Sequence, residues 1–294
     1  MRVDEVFKQA ASQGTTPVSF EMFPPKGELT LDTARKVAGN LCKLSPSFVS
    51  VTCSAGGSGN GATTAPIAHM ISSEFDTPSV AHLTCVGRTH ADIAAKIDEY
   101  RSAGVENVLA LRGDPPMNGH WDWKDGYFQH AADLVSFTRE HEPDMGIGVA
   151  AYPAPHPESP SFALDRRYTA DKLRAGADFA VSQLFFDVRE YEALVVDLRA
   201  RGLDTPVVPG ILPIQSFDSL RRVLSLCGAT IPGKLYLSLE EADRKGGAEA
   251  VRDAGLDFAV RQICQLLECG APGIHLYTLN KGDLCLQIAE EVGM

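Results

Sequence analysis

The chain has 294 residues, 44% of them hydrophobic and 22% charged, which suits a soluble protein with a substantial core and the usual size of a single α/β barrel. A net charge of -11 argues against nucleic acid or an anionic membrane as partner. Residues 1–13 alternate charged and apolar positions without an apolar signal core, and no stretch approaches the roughly eighteen apolar residues of a membrane span.

Seven scattered cysteines with no C-x-x-C pair fit a reducing cytoplasm better than a disulfide framework or a thiolate zinc site. Each reads as a small buried hydrophobe.

The first strand is predicted over 18–23, Val-Ser-Phe-Glu-Met-Phe, and Pro24-Pro25 ends it. Alternation sends Val18, Phe20 and Met22 one way and Ser19, Glu21 and Phe23 the other. A carboxylate therefore sits at the end of a buried strand. It needs a cation partner or a shifted pKa.

Further along, helical spacing predicts a helix over 31–43, and 48–52 reads as a strand. The glycine-rich loop 55–61 permits close backbone approach to a ligand but lacks the closing Gly-Lys-Ser/Thr of a P-loop. A short helix over 66–73 and a strand over 79–84 come next. Thr89 to Asp92 is a capping-box pattern ahead of Ile93, Ile97 and Tyr100. A strand over 107–111 leads into Arg112-Gly113-Asp114-Pro115-Pro116 and a polar loop with Trp121 and Trp123. Helices are predicted over 131–140, 162–175, 188–200, 217–226 and 281–292, strands over 146–151, 179–185, 206–209 and 273–277. Residues 235–269 read as mainly helical with a break at Gly246-Gly247.

Eight strands, each followed by helical sequence and joined by short loops, predict a single (β/α)8 TIM barrel over residues 1–294. A doubly wound open sheet is the alternative, but no G-x-G-x-x-G follows the first strand.

Barrel enzymes place their chemistry at the C-terminal strand ends. Here those ends carry Glu21, Thr52, His82 with Thr84, Arg112 with Asp114, Tyr152, Gln183, the Pro209-Gly210 turn and Tyr277. By alternation Val80, His82 and Thr84 share one face, as do His275 with Tyr277 and Val108 with Ala110 and Arg112. Their apolar partners, Leu109 and Leu111 among them, are expected against the outer helices. Singly, each polar residue has a structural explanation: Glu21 with Arg112 as a buried ion pair, His82 as a satisfied interior histidine. So many at one rim exceed what packing requires.

No His-x-His on the first strand supports a metal hydrolase, although His82, Asp114, His156 and His275 leave that class open. No lysine ends a strand as a Schiff-base aldolase would need, and no nucleophile motif is present. A wide hydrogen-bonding mouth with two carboxylates suits a large planar cofactor and proton transfer.

These residues carry a resemblance. Val18-Ser-Phe-Glu-Met-Phe-Pro-Pro25, Ala81-His-Leu-Thr-Cys85, Ala110-Leu-Arg-Gly-Asp114, Ala151-Tyr-Pro, His156-Pro-Glu158, Gln183-Leu-Phe-Phe186, Pro209-Gly-Ile-Leu-Pro213 and Tyr277-Thr-Leu-Asn280 together resemble the methylenetetrahydrofolate reductase family, in order along nearly the whole chain. The resemblance implies a TIM barrel holding FAD. It also implies reduction of 5,10-methylenetetrahydrofolate to 5-methyltetrahydrofolate at the expense of NADH or NADPH, and a homo-oligomer of the compact bacterial type without a regulatory domain.

By matching positions, the resemblance makes Glu21 the general acid that opens the folate ring. Asp114 is the carboxylate beside the flavin and pterin. Thr52, Ala55, His82, Arg112, Gly113, Asp114, His130, Ala131, Tyr152, His156, Asp165 and Lys172 are cofactor-binding, and no metal is implied. Gln183, Gln215, Phe217, Tyr277 and Lys281 are substrate-binding.

Three residues depart from the family pattern. Cys53 and His130 replace common aromatics, and Lys281 replaces an arginine, keeping the charge but losing a bidentate grip. A general acid working near neutral pH needs a raised pKa, so Arg112 is expected to turn away from Glu21, with burial and the neighbouring carboxylate Asp114 holding the Glu21 proton.

Overall fold

A computed structural model of the protein describes residues 1–24, 31–53, 63–114 and 127–293. The glycine-rich loop 55–61 with Ala55, and Trp121 and Trp123, lie outside the described residues. The strands are β1 (Val18–Met22), β2 (Phe48–Val51), β3 (Ser79–Thr84), β4 (Asn107–Leu111), β5 (Gly146–Ala151), β6 (Phe179–Ser182), β7 (Val207–Val208), β8 (Gly210–Ile211) and β9 (Ile274–Tyr277). All pair in parallel, in the order β7-β6-β5-β4-β3-β2-β1-β9-β8.

The two ends of that order are neighbours in sequence, separated only by Pro209. The expected strand over 206–209 is therefore two short strands. Val207 and Val208 pair with β6, Gly210 and Ile211 with β9. Proline has no N–H to continue a ladder, but its carbonyl accepts from His275 N at 3.0 Å. The chain changes partners there, and the barrel closes through it.

Helices fill the crossovers: α2 (Leu31–Leu41), α3 (Thr64–Phe75), α4 (His90–Ser102), α5 (Ala131–His141), α6 (Phe162–Arg174), α7 (Val188–Ala200), α8 (Phe217–Cys227), α9 (Gly233–Glu268) and α10 (Gly282–Glu291). The expected break in α9 is a kink at Gly247, whose φ of 64° and ψ of -148° leave the helix. The capping box at Thr89 forms as read, with Thr89 Oγ1 accepting from Asp92 N at 3.2 Å and Asp92 returning to Thr89 N at 2.8 Å. No helix among the described residues is long and apolar enough to cross a membrane.

The sequence reading has no element before β1, yet α1 (Val3–Gln13) forms there. Its buried residues Val3, Phe7 and Ala10 recur at helical spacing. Val3 and Phe7 pack with Phe48, Val80, Leu109, Phe179, Val181 and Val208, closing the lower end of the barrel.

That cluster also corrects the reading of β4. His82 pairs with Leu109, and Leu109 with Gly148. Residues opposite each other on parallel strands face the same side, so Leu109 and Leu111 point into the barrel, while Val108 and Ala110 join the core beneath the helices. Both faces of β4 are apolar, so its pattern alone cannot tell inside from outside. For β1, β3 and β9 the expected sides hold: Phe20, Met22, Ala81, Leu83, Ile274 and Leu276 lie in the outer core.

Candidate active site

From the floor upward, the barrel interior changes from apolar to polar. Above the phenylalanines lies His275, stacked on Phe48 with ring centroids 5.6 Å apart. Its Nδ1 is 2.8 Å from Ser19 Oγ and its Nε2 3.5 Å from Ser50 Oγ. Tyr277 meets the same imidazole edge-on at 5.3 Å and donates its hydroxyl to the Ser182 carbonyl at 2.7 Å. The Tyr277 ring fills the space where a Gly210 side chain would stand, 2.6 Å from the position of an added Cβ. Burial pushes the Tyr277 phenol up and the His275 imidazole down to about 3, so both are neutral at physiological pH.

Glu21 stands next to this layer. Its side chain is 20% exposed, and the basic side chain within ion-pair distance of it among the described residues is His82, whose Nε2 lies 3.6 Å from Oε2. Burial alone pushes the carboxyl up to about 8 and the imidazole down to about 4. Of the two expected causes of the Glu21 shift, burial accounts for it, and the neighbouring carboxylate Asp114 does not contribute. Arg112 is turned away, its Nη1 bonded to Glu158 Oε2 at 2.7 Å and its Nε to the Gly113 carbonyl at 3.1 Å. The reading of Glu21 as the partner of a buried arginine fails.

The end of β1 is held by the segment after β9. Thr278 Oγ1 donates to the Glu21 carbonyl at 2.7 Å, and Asn280 brackets Phe23, donating to its carbonyl at 2.8 Å and accepting from its N–H at 3.0 Å. Leu279 and Asn280 adopt left-handed φ values of 50° and 58°, which asparagine tolerates better than most residues. Neither Thr278 nor Asn280, both within the Tyr277-Thr-Leu-Asn280 motif, is among the expected site residues; a polar pair just past a strand end is the signal in the sequence.

A second group gathers around the ends of β4 and β5. Lys172 on α6 donates to the Ala150 carbonyl and lies 5.6 Å over the Tyr152 ring. Burial lowers its ammonium to about 8, with Asp165 opposing the shift. No carboxylate stands within ion-pair distance of it among the described residues. His156 meets Tyr152 edge-on at 5.0 Å, and its backbone N–H, like the Ser159 hydroxyl, donates to Asp165 Oδ1. Gly113 has a φ of 82°, and an added Cβ would stand 2.8 Å from Val86 Cγ1. A bare backbone is thus required at the end of β4.

The electrostatics tie the groups together. Asp114, exposed in itself, influences Arg112, Tyr152, His156 and Cys227, while Glu21 influences Tyr277 and Cys227.

The remaining expected site residues are more scattered. Thr52 is half-buried, with its N–H on the Met22 carbonyl at 3.0 Å. Gln183 is half-buried and caps its own turn, accepting from Leu184 N at 2.9 Å. His130 is exposed ahead of Ala131 at the start of α5, its ring stacked with Tyr168 at 6.2 Å. Gln215 is half-buried. Phe217 is buried in a satellite core, edge-on to Tyr236 at 5.2 Å and beneath Arg221 at 4.6 Å. Lys281 is exposed at the start of α10. The structure thus unites Glu21, His82 and Tyr277, and separately Arg112, Gly113, Tyr152, His156, Asp165 and Lys172; Phe217 belongs to the cluster against which Tyr277 packs, while Lys281 and His130 stand outside both groups. Among the described residues no three His, Cys, Asp or Glu side chains converge as metal ligands.

Parallel topology, closure through Pro209 and polar groups at the C-terminal rim define an α/β protein of the TIM-barrel class. Solved structures share that fold. A protein from Clostridium thermocellum described as binding two copies of 5-methyl-5,6,7,8-tetrahydrofolic acid matches with a TM-score of 0.61 at 15% identity, over 96% of each chain. A 2,3-dimethylmalate lyase matches with a TM-score of 0.55 at 10% identity, over 99% of this chain and 84% of that one.

Residues 6–293 match the family model of methylenetetrahydrofolate reductase, and the chain belongs to that family. It is 35% identical to methylenetetrahydrofolate reductase (NADH) 1 of Arabidopsis thaliana over its whole length, but spans only 51% of that protein. It is 34% identical to the 5,10-methylenetetrahydrofolate reductase of Pectobacterium carotovorum and 33% identical to that of Salmonella typhimurium, in each case over 97% of this chain and 93% of the relative.

Proposed function

We propose that the protein reduces 5,10-methylenetetrahydrofolate to 5-methyltetrahydrofolate, using FAD as its resident cofactor and NADH or NADPH as electron donor. Glu21 carries this reading. A carboxyl group raised to about 8 at a strand end still holds its proton at neutral pH and can act as a general acid.

The residues around Tyr152 fit a flavin dinucleotide. Lys172 is a half-buried cation lacking an ion-pair carboxylate among the described residues, and it suits a diphosphate. The bare backbone at Gly113 allows close approach, and Tyr152 offers an aromatic surface. Arg112, His156 and Asp165 line the same region, and Thr52, Ala55, His130 and Ala131 are assigned to the cofactor by family position alone. Bound there, FAD would supply the hydride for the folate, having been reduced by the nicotinamide.

Glu21 delivers its proton to the ring nitrogen of the substrate that carries the bridging methylene. The carbon–nitrogen bond breaks toward that nitrogen, leaving an iminium carbon ready to accept hydride. Asp114, at the same rim, opposes the positive charge that develops. Gln183, Gln215, Phe217, Tyr277 and Lys281 are assigned to the folate, with Tyr277 bounding the space over Gly210.

Stopped-flow measurement of flavin reduction by NADH and by NADPH, followed by reoxidation with the folate, tests this. Glu21→Gln should leave flavin reduction largely intact and slow the folate half-reaction by about 10²–10⁴-fold, the usual contribution of a general acid. Equal losses in both half-reactions would refute the role of Glu21. A preparation that neither contains nor takes up FAD would refute the reading as a whole.

A further inference from the structure

At the end of β1 the backbone groups find partners of two kinds. Carbonyls of successive strand residues point to opposite neighbours. The Met22 carbonyl points to β2 and accepts from Thr52 N at 3.0 Å, an ordinary backbone bond. Those of Glu21 and Phe23 point toward β9. On that side the ladder stops: its last pair is Glu21 with Tyr277. The chain then turns away through left-handed φ values at Leu279 and Asn280.

Side chains continue the ladder where the backbone leaves it. The Thr278 hydroxyl donates to the Glu21 carbonyl at 2.7 Å and accepts from Asn280 N at 3.0 Å. The Asn280 amide accepts from Phe23 N at 3.0 Å and donates to the Phe23 carbonyl at 2.8 Å, as a paired strand residue would. Lys281 N closes the turn on the Thr278 carbonyl at 2.8 Å. Thr278 is fully buried, whereas Leu279 is 39% exposed. A leucine with a φ of 50° is strained, and an exposed one recovers little by packing. The turn keeps that strain and aims both polar neighbours of Leu279 at β1.

We propose that Thr278 and Asn280 are positioning residues for the acid: they fix the backbone on either side of Met22 and thereby aim the Glu21 carboxyl at the substrate nitrogen. This rests on the reading of Glu21 as the general acid. Both residues act through Glu21. The carboxyl hangs from the strand by two methylenes, so a tilt of the strand end moves it further than the backbone itself. A displacement of about 1 Å can cost a reaction about 10²-fold.

The test is Thr278→Val, which keeps the branched shape and removes the hydroxyl. With prereduced enzyme and saturating folate, the folate half-reaction should slow by about 10–100-fold. Flavin reduction by the nicotinamide and the folate dissociation constant should stay within about threefold of wild type. Thr278→Ser, which restores the hydroxyl, should bring the folate step back to within about threefold. Thr278→Val combined with Glu21→Gln should be no slower than Glu21→Gln alone, because the aim of an absent acid no longer matters. A merely structural role would slow both half-reactions or multiply the losses in the double variant, and either result overturns the proposal. So does an unslowed folate step in Thr278→Val.

Should Thr278→Val not fold, Asn280→Gly takes its place in the same comparisons, since glycine tolerates the left-handed φ while losing both bonds to Phe23. A second readout needs neither cofactor nor folate. The infrared band of the protonated Glu21 carboxyl, identified by its loss in Glu21→Gln, is recorded in the ligand-free protein at pH 6. It should shift or broaden in Thr278→Val and return in Thr278→Ser; an unchanged band counts against the proposal. If the wild type binds FAD but is not reoxidised by the folate, the functional reading fails, while the infrared band still decides whether Thr278 places the carboxyl.

Discussion

Replacing Glu21 with glutamine should make the protein more tolerant of alkaline pH, and the amount can be worked from the fold. The folded-state pKa is about 8 against an ordinary 4.5, raised by burial. Because the folded value lies above the unfolded one, the protonated carboxyl contributes fully below about pH 4.5, and that contribution drains away as pH climbs through about 8. Each pH unit in that window costs about 1.4 kcal/mol. By pH 7 wild type should have lost about 3 kcal/mol that the variant keeps, a sizeable share of a typical domain's margin of about 5–15 kcal/mol. A fifth of the side chain still meets solvent, which makes this an upper figure. Glutamine matches the shape of the protonated acid. Urea denaturation of both proteins at pH 5, 6, 7 and 8 measures the effect, with every other titrating group cancelling in the difference. Parallel stability curves would refute the reasoning, because Glu21 would then ionise as easily in the folded protein as in the unfolded one.

Lys172 should make flavin affinity pH-dependent. With its ammonium lowered to about 8 by burial, the free protein loses that charge as pH rises through 8, and the FAD dissociation constant should rise about tenfold per unit above it. Lys172→Met should weaken binding at pH 7 by about 10–100-fold, the worth of a charge-assisted bond, and flatten the dependence; fluorescence titration reads both. Asn280→Ala should destabilise the protein by about 2–4 kcal/mol, since it removes two bonds to Phe23 and places alanine at a left-handed φ. Asn280→Gly, scored by the same denaturation assay, should recover about 1 kcal/mol of that loss by relieving the backbone alone.

Much of the barrel was legible because its strands carry regular signals. β1, β3 and β9 alternate a polar face with an apolar one, so Glu21, His82, His275 and Tyr277 could be placed on the inner wall from spacing alone. Where both faces are apolar, as in β4, the sequence carried no such information; only pairing with β3 turns Leu109 inward. The split at Pro209 was readable as a proline within a strand, but not its consequence, since the change of neighbours from β6 to β9 is a property of the closed sheet. The site divides in the same way. Strand ends were predictable, and the partners of charged side chains were not: Arg112 could as well have met Glu21 as Glu158, and a bond across 46 residues leaves no periodic trace. Phe217 shows the same limit from another side: its place, edge-on to Tyr236 in the cluster against which Tyr277 packs, is a tertiary contact that no spacing announces.

A helix not expected from the sequence, α1, closes the barrel below the candidate site. α1 inserts Phe7 into the lower end of the barrel, where it meets Phe48 at 6.4 Å and Phe179 at 6.2 Å, with those two 6.0 Å apart. Gly148 has no side chain because an added Cβ would stand 2.5 Å from the Phe179 ring, so the floor is packed without a channel's width to spare at that point. Phe48 in turn carries His275, which carries Tyr277. Packed hydrocarbon below the polar layer leaves water to reach Glu21 from the mouth rather than through the floor. Burial raises the Glu21 pKa, and Glu21 pairs across β1 and β9 with Tyr277 in the layer above that floor. α1, far from the rim, thus closes the opposite end of the barrel beneath the layer that holds His275 and Tyr277.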